Sequence, residues 1–214
     1  MSFYRQLVAA TEQPRQQLLA APIIRRALAG EIGRDDYLAF LEQAFHHVKQ
    51  TVPLLMMVGA RLPDDKEWLR AACAEYIEEE IGHHEWILND IAALGGDKEA
   101  VRHGVPLPAT ELMVAYAWDM VSRVNPLGFF GMVLVLEGTS IAIADRAAVS
   151  IQQTLGLPDE AFSYLRSHGA LDQEHVRFYE GLMDRITDPQ EQRLLIHAAT
   201  MFYRLYGDIF RALG

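Results

Sequence analysis

One cysteine, Cys73, stands among 214 residues. A single thiol excludes an internal disulfide and any metal cage built from several cysteines, so a reducing cytosol is the natural setting. Cations are also scarce: 19 Lys and Arg face 29 Asp and Glu, giving a formal net charge of −10. Phosphate binding relies on clustered Lys and Arg, and no such cluster occurs, which excludes nucleic acid and an anionic membrane as expected partners. The opening run Met1-Ser2-Phe3-Tyr4-Arg5-Gln6 lacks the apolar core of a signal peptide. No stretch reaches the uncharged apolar length that spans a bilayer. The expectation is therefore a soluble cytoplasmic protein in which Cys73 packs in the core.

Alternating β patterns are missing too, whereas apolar residues recur at helical spacing almost everywhere. With half its positions apolar, residues 1–214 are expected to form a single all-α domain of about seven or eight helices. The prolines mostly fall between periodic segments, Gly95-Gly96 reads as a helix stop, and Asp188-Pro189 reads as a cap followed by proline at the first helical position. The spacing predicts helices over 2–12, 15–29, 34–60, 65–94, 109–124, 127–155, 159–186 and 189–212. The segment Gly128 to Ala144 is so apolar that burial on all sides is expected.

Chemistry concentrates in His168-Gly169-Ala170-Leu171-Asp172-Gln173-Glu174-His175. At about 100° per helical residue, His168, Asp172 and His175 fall within roughly a 60° arc. Two imidazoles and a carboxylate on one stripe suit a transition metal. Glu137 is the lone acid of the apolar segment Gly128 to Ala144 and needs a cation or an arginine, such as Arg123 or Arg146, to offset its burial. In Glu78-Glu79-Glu80-Ile81-Gly82-His83-His84-Glu85, Glu80 and His83 form an i, i+3 pair, with Glu79 as the i, i+4 substitute. Asp90 shares the stripe of His83 and is a candidate to orient its imidazole. Glu42 adds an acid on helix 34–60, while His46 and His47 rank low as ligands and read as half-exposed. Seven ligands, Glu42, Glu80, His83, Glu137, His168, Asp172 and His175, fit two metals better than one. Tyr179, one turn after His175, is a second candidate for the surrounding shell, although packing explains it equally. Phe129, Phe130, Trp118, Met120 and Met132 are candidates to line an apolar chamber.

These motifs resemble the haem-oxygenase-like di-iron oxidases and oxygenases, which share their helical fold with thiaminase II and pyrroloquinoline-quinone synthase. Similarity begins at Ala21-Pro22-Ile23-Ile24 and runs through Tyr37 to Gln43, where Glu42 occupies the first-helix ligand place. Glu80-Ile81-Gly82-His83 matches the Glu-x-x-His element, Glu137 the central glutamate, and His168, Asp172 and His175 the His-x-x-x-Asp-x-x-His order. The resemblance implies a haem-oxygenase-like bundle, two iron ions that manganese can replace, and dioxygen as co-substrate. It also implies oxidation of a small organic substrate (an amino acid, an amine or a fatty acid), a homodimer, and for some reactions an electron-donor protein. The chain departs from haem oxygenases in having no histidine before His46, and from thiaminase II in having no cysteine on the helix of Glu137. A metal-dependent hydrolase and a non-enzymatic ligand-binding protein of the same fold are the alternatives.

Overall fold

The fold is that of a computed structural model, which describes the backbone throughout and the side chains of residues 1–167 and 176–214. All its regular structure is helical: α1 (Phe3–Ala10), α2 (Glu12–Leu19), α3 (Pro22–Ala29), α4 (Arg34–Val48), α5 (Thr51–Arg61), α6 (Glu67–Glu80), α7 (His83–Ala93), α8 (Lys98–His103), α9 (Pro108–Asp119), α10 (Phe129–Leu155), α11 (Ser163–Met183) and α12 (Pro189–Ala212). The all-α class agrees with the periodicity. There are more helices than expected, because three of the expected segments are divided and α8 was not foreseen.

Each division has a local cause. Segment 15–29 breaks before Pro22, which opens α3 with the fixed φ that suits a first helical position. Segment 34–60 divides at Lys49 and Gln50. Segment 65–94 divides at Ile81, in an extended conformation, and Gly82, at φ 92°. Only glycine adopts that left-handed conformation without strain, so Gly82 lets the chain change direction between the acids of α6 and the histidine that opens α7. Past α9, Met120–Val124 continue as a single π turn, the usual way for a helix to absorb an extra residue.

The long helix α10 forms the centre, packed against α3, α11 and α12. From Phe129 to Val135 every residue is buried. Its approach to α12 is close: a Cβ on Gly131 would lie 2.6 Å from the backbone nitrogen of Ala199, so only glycine fits there. From Leu136 onward the helix is only partly covered, and Ile141 is 40% exposed, in contrast to the all-round burial that its composition suggested. Pro126–Leu155 is also long and apolar enough to cross a membrane by length and composition, contrary to the reading that no stretch qualifies. Most of this helix is buried inside the protein, as befits the core helix of a helical domain.

On the C-terminal helix, Phe202, Tyr203, Tyr206 and Phe210 are all buried. These aromatic side chains are part of the core. Tyr37 donates a hydrogen bond to the carbonyl of Ala161 at 2.8 Å and stacks on Phe162, tying α4 to the start of α11.

Candidate metal centre

Glu80 at the end of α6 and Glu137 in the middle of α10 line one cavity. Around them stand His47, Tyr76, Ser140, Tyr164 and Tyr206, with Phe129, Met132 and Leu136 among the apolar members of the wall. Among the described residues no lysine or arginine lines it. His83 is buried, its Nδ1 lies 3.2 Å from a carboxylate oxygen of Glu80, and its ring stacks on Trp86 at 4.1 Å between centroids. The Glu-x-x-His element is therefore close in space across the Gly82 turn, not along one helical face. Glu79 is exposed and Glu80 is the acid of this pair that lines the cavity.

Helix α4 sends a different residue inward from the one expected. Glu42 is half-buried and lines no part of this cavity, whereas His47 is buried and does. Five residues along a helix amount to a rotation of about 140° beyond a full turn, so Glu42 and His47 cannot face the same space. Burial holds the Glu42 carboxyl above the usual carboxylate range. His46, on the Glu42 side, is buried with its Nδ1 unpartnered, and burial followed by the nearby Lys49 charge pushes its pKa down to about 4. Neither histidine is half-exposed. Val48, Thr51 and Leu55 join His47 in the same wall.

Asp90 is wholly buried, yet its known partners belong to α11 rather than to His83. It accepts from the Ser163 nitrogen at 3.1 Å, the Tyr164 nitrogen at 2.9 Å and, in a very short contact, the Ser163 hydroxyl. These donors include two otherwise unmet N–H groups of a helix N-terminus, so the carboxylate of α7 caps the first turn of α11. Burial raises the Asp90 pKa and the three hydrogen bonds pull it back down. Its influence on the stripe of α11 is thus through the position of the helix. Tyr179, also buried, donates to the Phe130 carbonyl at 2.7 Å and packs edge-on against Tyr4. Burial, then the nearby Glu137 charge, drives its phenol pKa well up. It fastens α11 to α10 two turns before Glu137.

Of the arginines considered as partners for Glu137, Arg123 is bound to Asp119 at 2.7 Å and Arg146 is exposed. Phe129 and Met132 line the cavity as expected. Trp118 instead donates to Gln50 at 3.1 Å, Met120 packs against Gly128, and Phe130 is enclosed in the core. Cys73 is buried on α6, outside the cavity wall, and burial raises its thiol to about 12, so it is not a nucleophile of the thiaminase kind.

His168, Asp172 and His175 lie outside the described residues. Among those that are described, no three His, Cys, Asp or Glu side chains come together as a metal cluster. Glu80 and Glu137 place two carboxylates in a wall with no lysine or arginine among its described residues, and the His83 imidazole adjoins Glu80. Such a donor set fits one half of a carboxylate-rich metal site.

A family model described as iron-containing redox enzyme matches residues 38–207. No match is found among curated protein sequences. Solved structures similar to this one include a domain of unknown function with a haem-oxygenase-like fold from Shewanella denitrificans, at 23% identity and TM-score 0.86, covering 100% of this chain and 92% of that one. A TenA homologue from Pseudomonas syringae pv. tomato is similar at 13% identity and TM-score 0.83, over 99% of this chain and 92% of its own. The haem oxygenase of Leptospira interrogans follows at 16% identity and TM-score 0.78, over 99% and 100%. At these identities the structures establish the haem-oxygenase-like fold and nothing finer.

Proposed function

We propose, from the premise that this chain belongs to the haem-oxygenase-like family of iron-containing redox enzymes, that it is a non-haem di-iron oxidoreductase using dioxygen to oxidise a small organic substrate. The observation that carries this reading is the pair Glu80 and Glu137 lining one cavity whose described wall has no lysine or arginine. Two carboxylates on one wall without a cationic side chain among its described residues suit bound cations. Glu80, His83 and Glu137 would hold part of the metal, and the His168, Asp172, His175 stripe of α11 would complete it. Iron held there would supply the electrons for reduction of dioxygen.

The protein's own part is placement. Phe129, Met132, Val133 and Leu136 present apolar surface beside the carboxylates, which keeps water from competing with substrate and strengthens each charge interaction inside. His47 faces the same space from α4 and stands edge-on to Tyr206 at 5.6 Å between centroids, in position to hydrogen-bond a substrate polar group. Asp90 and Tyr179 fix α11 at its start and near its end. The reading also carries a homodimer in the cytoplasm and, where the substrate supplies too few electrons, a donor protein.

Anaerobic titration of metal-free protein with Fe(II), followed by admission of air under stopped-flow absorbance, tests it. Two irons per chain and a transient visible band are expected. Absence of stoichiometric iron uptake contradicts it.

A further inference from the structure

A second cavity adjoins the first along α10, and its lining is of another kind. Its volume is about 700 Å3 including its open mouth. Down one wall Ser140, Ala144, Ala147 and Ile151 follow at helical spacing, opposed by Ile24 and Leu28 of α3. Polar groups are few. Among the described residues Asp36 is its single acid, and that carboxylate binds Arg26 at 2.6 Å and the Gly33 nitrogen at 2.8 Å. The Thr139 hydroxyl donates to the Val135 carbonyl at 2.6 Å. The other hydroxyls belong to Ser140, Tyr164 and Tyr206, and these three residues line both cavities. Ser140 follows Glu137 by three residues, about 4.5 Å along the helix axis. The chamber thus ends one helical turn from the carboxylate wall, and beyond the shared residues its described side chains offer a polar molecule no uncommitted group to orient it.

An apolar space of this kind stays dry and takes up apolar gas. Dioxygen has no hydrogen bonds to lose on leaving water, so it partitions into hydrocarbon-like surroundings that repel ions and polar molecules. We propose that this chamber is the route by which dioxygen reaches the carboxylate cavity, passing the three residues that the two cavities share. The destination rests on the oxygen-using reading above, whereas the gas chamber rests on its own lining. From Ile151 to Ser140 the route follows α10 for about 16 Å. Ala144 and Ala147, both buried, keep it open, with Ala27 across from them. Larger side chains at these positions would project into the path. Because the gas arrives from the apolar side, a polar substrate filling the first cavity does not bar its way.

Nuclear magnetic resonance of the metal-free protein under dioxygen pressure tests the chamber, because the paramagnetic gas speeds relaxation of the methyl groups it touches. Enhancement at Ile143, Ala144 and Ala147 should exceed several-fold that at Leu69 and Leu195, which are fully buried outside both cavities. Equal enhancement at the two sets overturns the proposal. Stopped-flow oxidation of the Fe(II)-loaded protein tests the route. At dioxygen concentrations where the rate is first order in the gas, its rate constant should fall several-fold in Ala144→Leu and in Ala147→Leu, with iron uptake unchanged. Rates equal to the parent's in both variants overturn the route. Where a leucine variant does not fold, Ala147→Val takes its place with a smaller fall expected. Strong enhancement in a chain that takes up no iron supports the gas chamber and overturns the metal reading. Iron uptake without enhancement does the reverse.

Discussion

Glu137 and Asp90 are both acids set in apolar helices, and their surroundings have opposite solutions. Asp90 is the more deeply buried: none of it is exposed, and two backbone N–H groups and a hydroxyl point at it. Glu137 is only half-buried and opens onto a cavity shared with Glu80. Depth of burial therefore does not by itself set the roles of these two carboxylates. What surrounds the group does, because a carboxylate met by fixed donors is satisfied by the fold, whereas two carboxylates on one cavity wall with no lysine or arginine among its described residues suit a bound cation.

The comparison sharpens by exchanging charge for shape at each site. Glu137→Gln keeps the volume and removes the charge, so iron affinity should fall on the order of a hundredfold or more, given that even outer-shell changes cost ten- to a hundredfold. Thermal stability of the metal-free protein should hold or rise slightly, since facing like charges disfavour the folded state. Asp90→Ala should behave the opposite way, lowering stability by about 2–4 kcal/mol because the first turn of α11 loses its cap and buried donors are left unmet. Urea denaturation of both variants reads the contrast directly, and equal destabilisation would dissolve it.

A smaller effect separates the two ends of α11. Tyr179→Phe removes one buried hydrogen bond to the Phe130 carbonyl and should cost about 1–2 kcal/mol. His46 provides a pH-dependent contrast. Its folded pKa near 4 lies below the value of about 6.5 for an unfolded chain. The unfolded state therefore takes up the proton first, so this residue's contribution to stability falls as pH drops from about 6.5 to about 4 and is level below that. His46→Gln should flatten that part of the profile, seen as a smaller loss of Tm between pH 7 and pH 4.5 than in the parent. The smallest change is expected for Glu42→Gln, which should leave iron uptake within about twofold because the residue is turned away from Glu80 and Glu137.

Helical periodicity made the class and most of the long elements legible, since apolar spacing reports which face of a helix is covered. The divisions at Gln50 and Gly82 were hidden because both interrupt strong helical patterns without proline at the break. Glu80, His83 and Glu137 were legible as an acid–histidine pair and as a charge in an apolar run. Asp90 was misread as a group serving His83, because a heptad spacing places two residues on one face without revealing what packs against it. His47 was read as half-exposed because a lone histidine on a helix gives no sequence signal of the wall that buries it, and it points about 140° from Glu42. Tertiary partners decided each case, and sequence spacing carries no record of them.

The central claim is that Glu137 and Glu80, on the wall of one cavity, take part in binding iron. Anaerobic Fe(II) titration of the parent chain and of Glu137→Gln, side by side at neutral pH, tests it most directly. The account predicts two tightly bound irons per parent chain and fewer than two in the variant, with unchanged far-ultraviolet circular dichroism. Two irons held equally well by both would contradict it.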